Sequence, residues 1–120
     1  MIIRCALYAG TVAPENRERL SDYILNVHLP MIARWPRIRK VRLLRGNGEP
    51  DPFLGEQHRY FQCFEFTFDN REDMDFCLNS PERHATRKMA IEDFPKFKAL
   101  FDGEVHHVNY WEVIDIPVPG

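Results

Sequence analysis

The stretch that decides the fold is His58 to Phe68, HRYFQCFEFTF. Side chains of a strand alternate between two faces. Here Tyr60, Phe64, Phe66 and Phe68 share one parity, while Phe61 and Cys63 take the other. A strand that is apolar on both faces belongs in the middle of a sheet, with something covering each side. Before it, Gly46 to Gln57 holds Gly46, Gly48, Pro50, Pro52 and Gly55 and reads as a long loop. After it, Asn70 is a good N-cap for a helix running to about Asn79, with Met74, Cys77 and Leu78 inward.

Working outward, Ile2 to Ala9 (IIRCALYA) has Arg4 as its one charge and reads as a strand buried on at least one face. From Glu15 to Trp35, Leu20, Tyr23, Ile24, Val27, Met31, Ile32 and Trp35 recur at three- and four-residue steps, the stripe of an amphipathic helix. Pro30 lies inside it and removes the bond to the carbonyl of Asn26, so a kink or distorted last turn is expected. Arg37 to Arg45 (RIRKVRLLR) reads as the second strand. Ser80-Pro81 restarts a helix as cap and first position, with Ala85 and Met89 inward and an end near Asp93. Pro95 to Phe101 reads as one more short helix, and Glu104 to Ile116 as the last strand, which Pro117 and Pro119 stop.

The order strand, helix, strand, strand, helices, strand predicts an α+β chain of ferredoxin-like βαββαβ type. Such a chain has a four-stranded antiparallel sheet with helices on one face. The other face stays open in a single copy. The two-sided aromatic third strand asks for a cover, and a second copy supplies it, so a homodimer is expected.

Composition narrows the classes. The chain has 120 residues, enough for one domain, 1–120, that buries roughly two-thirds of its unfolded surface. Apolar residues at 44% and charged residues at 28% fit a globular protein rather than a disordered one. A net charge of −2 provides no field that would recruit nucleic acid or an anionic membrane. No apolar run approaches a membrane span, and Met1 to Gly10 lacks the basic flank of a signal peptide. Cys5, Cys63 and Cys77 are odd in number and far apart, which makes neither a disulfide framework nor a CxxC metal site. A reduced, cytoplasmic protein is expected.

Asp22-Tyr23-Ile24-Leu25-Asn26-Val27-His28-Leu29-Pro30-Met31, with its His-x-Pro, resembles the first helix of the EthD-like branch of the dimeric α+β barrel superfamily. The opening strand, the segment Phe66-Thr67-Phe68-Asp69-Asn70 and the step Ser80-Pro81-Glu82 are similar to that family as well. The resemblance spans nearly the whole chain. It implies two ferredoxin-like protomers with sheets face to face, and in each a pocket between sheet and helices. It also implies a small hydrophobic cyclic or aromatic substrate, because related members include lactone isomerases, aromatic polyketide cyclases and oxygenases that use no metal or flavin.

Two histidines are the candidate acid/base groups. His28 lies on the shoulder of the apolar stripe, where an imidazole reaches into a hydrophobic pocket and titrates near neutral pH. The structural alternative is a core histidine bonded to a backbone carbonyl. The resemblance adds that lactone isomerases of the superfamily use a first-helix histidine. His84 resembles, within one residue of register, the histidine that polyketide cyclases carry after a similar proline. Those enzymes pair it with a tyrosine, whereas Phe76 and Cys77 stand nearby here.

Tyr8, Tyr23, Trp35, Tyr60, Phe64 and Trp111 are the candidate substrate-binding residues, with core and interface as the alternative use of their area. Glu65 is a carboxylate in the central strand and is expected to meet an arginine. Arg37, Arg39, Lys40, Arg42 and Arg45 make the second strand basic, which suits a sheet edge. Adjacent His106 and His107 face opposite sides, and neither a metal site nor an organic cofactor is expected. The third strand lacks the RNP1 pattern, so nucleic acid is not expected. The functional expectation is cofactor-independent acid/base chemistry, such as isomerisation or cyclisation. The alternatives are a dimeric metabolite-binding or accessory protein of an oxygenase pathway, and a cofactor-free monooxygenase.

Overall fold

The computed structural model describes residues 1–55 and 59–120, without the side chains of Phe94 and Phe97. The end of the expected loop, Glu56 and Gln57, and the expected strand's first residue, His58, lie outside the described residues. Four strands form one antiparallel sheet: β1 (Ile2–Thr11), β2 (Lys40–Arg45), β3 (Tyr60–Phe68) and β4 (Asp102–Trp111), in the order β2-β3-β1-β4. This is the ferredoxin-like α+β arrangement, with β3 and β1 central and the basic β2 at an edge.

The core lies between the helices and one face of the sheet. Ile2, Phe64, Phe68, Ile24, Ile32 and Cys77 are fully buried there, from both strands and helices. The register pairs Ile2 with Phe68 and Ala6 with Phe64, so even-numbered residues of the two central strands share the helix-facing side. At Tyr8/Ala9 the ladder slips: Tyr8 pairs with Gln62 and Ala9 with Tyr60, leaving Phe61 without a partner. A bulge of this kind turns the extra side chain toward its neighbour's face. Phe61 accordingly packs on Tyr8 and Phe101 at ring distances of 5.9 and 5.5 Å. The outer face of β3 is therefore Tyr60, Cys63, Glu65 and Thr67, and the bulge exchanges the sides that strict alternation gave Tyr60 and Phe61.

The first helical region is interrupted. A 3₁₀ turn at Pro14–Asn16 leads into α1 (Arg17–Tyr23), a π-helical turn at Ile24–His28, and α2 (Leu29–Ile32). The amide of Leu29 donates to the carbonyl of Ile24, five residues back. A proline ring clashes with the carbonyl four residues before it, so the chain opens a wide turn ahead of Pro30 rather than kinking at it. Arg37 takes a left-handed conformation with φ 61°, which delays the second strand to Lys40.

Asn70 caps α3 (Arg71–Leu78) by accepting from the Asp73 amide at 2.8 Å. The Ser80 hydroxyl accepts from the Arg83 amide at the start of α4 (Pro81–Lys98). That helix is continuous through Pro95, where two helices were expected, because a proline near a helix end removes a single bond. Its inward face is also different: Thr86 is buried, while Ala85 and Met89 are exposed. β4 stops at Trp111, opposite Ile2 and short of the expected Ile116, and the Glu112 amide donates to the Met1 carbonyl beyond it.

Gly10 and Gly103 face each other across β1 and β4. A Cβ on Gly10, whose φ is 128°, meets the Asp102 carbonyl, and one on Gly103 meets the Ala9 carbonyl. Gly10→Ala is expected to cost about 2–4 kcal/mol by denaturant unfolding, from strain plus overpacking. Gly48 has open space around it, so Gly48→Ala should cost less. Equal losses at the two sites would contradict this account.

Candidate active site

Between the helix-facing row of the sheet and α4 lies a cavity of ≈ 330 Å³. Its floor is aromatic: Phe64 and Phe66 stack at 5.7 Å and 9°, and Trp35 lies over Phe66 at 5.2 Å. The indole of Trp35 is oriented by its Nε1–H, which donates to the Thr86 hydroxyl at 3.0 Å. That hydroxyl in turn donates to the Glu82 carbonyl. A half-buried Trp with a satisfied N–H is a rigid wall for a flat ligand.

His28, the last residue of the wide turn, closes one side of the cavity. Its ring lies 5.9 Å from Phe64 and 6.4 Å from Tyr23, nearly parallel to the latter at 24°. Burial lowers its pKa below the ordinary 6.5, because desolvation penalises the imidazolium. No hydrogen bond to the ring occurs among the described residues, so the carbonyl-bonded alternative is not what the fold contains. The nitrogens are not sealed away either, since the one buried unbonded polar atom among those residues is Nε2 of Gln62.

Two phenols stand beside the imidazole. Tyr23 donates to the Asp93 carboxylate, and its pKa rises through burial first and then through that charge and bond. Tyr8 is more deeply buried and its pKa is also raised, by desolvation and then by Tyr23. Both hydroxyls keep their protons at neutral pH.

The opposite end of the cavity is cationic. Arg4 from β1, Arg83 and Arg87 from α4, and His107 from β4 line it. Burial and then the other two arginines lower the pKa of Arg4. His107 is lowered by burial first, then by Arg4, Arg87 and Arg83.

Of the residues singled out in the sequence, His28, Tyr8, Tyr23, Trp35 and Phe64 converge on this cavity, and His84, Tyr60 and Trp111 do not. His84 is exposed because α4 turns Arg83, Thr86, Arg87 and Ala90 toward the sheet. Tyr60 is 40% exposed, since the bulge at Phe61 removes it from the Phe64 face. Trp111 is 56% exposed at the far end of an edge strand.

Reasoning from sequence missed Arg4, Arg83, Arg87, His107 and Thr86 as cavity residues. The signal was present as a helical stripe at 83, 86, 87 and 90, but its residues are small, polar or basic rather than apolar.

The basic residues around the second strand are committed elsewhere. Arg37 pairs with Asp73 at 3.2 Å, Arg39 with Asp69 at 2.6 Å, and Arg42 with Glu65 at 2.6 Å. Arg45 donates to Ser21 at 2.6 Å. On the outer sheet face, Cys5, Cys63 and Glu65 bring their potential ligand atoms within 4.8 Å of one another. There the carboxylate is already neutralised by Arg42. Burial raises both thiol pKa values, that of Cys63 to about 11, which favours protonated thiols over metal-ready thiolates.

No family model matches the chain, and no curated protein matches its sequence. Its fold is shared with solved structures. An ethyl tert-butyl ether D (EthD) family protein from Bacillus halodurans is similar over 94% of this chain and 99% of its own, with TM-score 0.69 and 23% identity. A dimeric protein of ferredoxin-like fold and unknown function from Bacteroides fragilis covers 91% and 93%, with TM-score 0.54 and 20% identity. The hydroxynitrile lyase of Passiflora edulis covers 98% and 97%, with TM-score 0.59 and 15% identity. At these identities the likeness establishes the fold.

The lowered His28 pKa has a consequence for stability. As pH falls below about 6.5 the unfolded chain takes up the proton while the folded chain resists it. The contribution is present in full above that pH and is lost as pH falls toward the folded-state value. His28→Leu, which keeps the site apolar, should flatten the acid-side decline of unfolding free energy below about pH 6.5. An unchanged slope would place the titrating group elsewhere.

Proposed function

We propose that this chain is an EthD-like small-molecule enzyme. It acts on a cyclic or aromatic hydrophobic metabolite by cofactor-independent acid/base chemistry, such as isomerisation or cyclisation. The observation that supports the reading best is the neutral His28 imidazole, unbonded and open to an aromatic cavity. An imidazole whose pKa is lowered is in its basic form at neutral pH and can accept a proton without first losing one.

In this reading a ring substrate lies against Phe64, Phe66 and Trp35 with its acidic C–H toward His28. The imidazole takes the proton from the carbon next to a carbonyl, and the electron pair moves to the carbonyl oxygen as an enolate. The developing charge then lies at the end of the cavity where the Tyr8 phenol keeps its proton, while Tyr23 stays bonded to Asp93. The imidazolium then returns the proton to another carbon of the conjugated system, which completes an isomerisation with no net change in oxidation state. His84, exposed and away from the cavity, has no part in it.

The homodimer belongs to the same proposal. On the outer sheet face, Ile3, Leu7 and Val108 form a partly buried apolar row, and Leu44 and Tyr110 are 40% and 51% exposed beside it. A relative of this fold is itself described as dimeric. Sheet-to-sheet pairing would cover that row. Free Cys5, Cys63 and Cys77 suit a reducing compartment such as the cytoplasm, and no helix is long and apolar enough to cross a membrane among the described residues.

A thermal-shift screen of lactones, phenolic acids, quinones and short polyketide mimics, followed by turnover of the hits, tests the activity. His28→Gln is expected to lower kcat/KM by roughly 10²–10⁴. The wild-type rate should fall as pH drops through the lowered histidine pKa. Hits that bind but are turned over by neither protein would favour the metabolite-binding alternative. Sedimentation equilibrium should give twice the 14.2 kDa chain mass, and Leu7→Glu should reduce it to one. A wild-type monomer would refute the dimer.

A further inference from the structure

No carboxylate among the described residues lines the cationic end of the cavity. Among the described residues, Arg37, Arg39, Arg42, Arg71 and Lys88 each pair with a carboxylate, whereas Arg4, Arg83 and Arg87 pair with none. Arg4 donates to the neutral Oδ1 of Asn109 at 2.9 Å, which orients its guanidinium without neutralising it. Arg83 and Arg87 lie one helical turn apart on α4, on the side that faces the sheet. His107 adds ring N–H capacity from β4 at the same end.

Gathering three guanidiniums at one cavity wall is unfavourable unless something negative joins them. Arg37, Arg39, Arg42 and Arg71 each meet a carboxylate, whereas no acidic side chain among the described residues lines the cavity where Arg4, Arg83 and Arg87 gather. A planar guanidinium fork is the side chain best matched to a carboxylate or phosphate, which it holds through paired N–H···O bonds.

We propose that Arg4, Arg83 and Arg87 form an oxyanion-binding subsite, and that the ligand of this cavity is a ring compound bearing a carboxylate or phosphate group. The inference rests on the cavity being a ligand site, as the proposed function holds, and adds the charge of the ligand. The aromatic floor takes the ring between the two ends. The anionic group anchors at the arginines and so presents the ring's opposite edge to His28. Charge pairing in a partly dehydrated cavity would also select against neutral hydrophobic compounds of the same shape.

Calorimetric titration of the full chain with benzoate, phenyl phosphate and benzyl alcohol tests this without requiring turnover. Benzoate or phenyl phosphate should bind, benzyl alcohol should bind at least tenfold more weakly, and the tighter anion identifies which oxyanion the subsite takes. Arg83→Gln and Arg87→Gln should each weaken the anion by about tenfold or more. Both variants should melt no lower than wild type at low salt, because each removes a repelling charge, so a loss of binding is not a loss of fold. His28→Gln should keep anion affinity within about threefold.

Equal binding of benzyl alcohol and the anions would overturn the proposal. So would failure of both anions to bind, or unchanged anion binding in both arginine variants. If the arginine variants lose the anion while His28→Gln keeps full turnover of a screen hit, the subsite stands and the acid/base reading falls.

Discussion

Everything in this molecule depends on burying one row of side chains: Gln62, Phe64, Phe66 and Phe68 of β3, beside Ile2, Ala6 and Tyr8 of β1. The two strands are central, and their register lines these residues up on the face that the helices cover. A one-residue slip would turn all of them to the other side. The helical residues Ile24, Ile32, Met74 and Cys77 complete the same core. The cavity is the part of this layer that α4 leaves unfilled, because Thr86 and Ala90 are small where a larger apolar residue would close it.

Two local irregularities shape what that space contains. The bulge opposite Tyr8 gives the core an extra aromatic ring, Phe61, and swings Tyr60 away from the site. The wide turn before Pro30 ends at His28 and leaves its imidazole against Tyr23 and Phe64. Both distort regular elements at some cost, and both lie at the edge of the cavity. That is where irregular backbone is tolerated when a side chain must be aimed.

The electrostatics run in opposite senses along the cavity. At the His28 end, burial keeps an imidazole neutral and two phenols protonated. At the other end, burial and then neighbouring arginines disfavour the charge of Arg4 and of Arg83. One end is therefore suited to proton transfer and the other to holding charge, with an aromatic surface between. A fold shared with both an EthD-family protein and a hydroxynitrile lyase does not by itself choose a reaction. The side chains at the two ends are what bear on that choice.

Strand order, the helix starts at Asn70 and Ser80 and the amphipathic first helix were legible from residue pattern alone. Alternation, capping and helical spacing are local, and their preferences agreed with the tertiary fold. His28, Tyr8, Tyr23, Trp35 and Phe64 were legible as site residues because they lie on apolar faces that have to meet. Which parity Phe61 and Tyr60 take, which face α4 presents, and where the unpaired arginines gather were decided only in three dimensions. A bulge resets alternation without a sequence signature. A helix face lined by Arg83, Thr86, Arg87 and Ala90 carries no apolar stripe to mark it as inward, and the meeting of Arg4 with Arg83 and Arg87 depends on packing between segments about eighty residues apart.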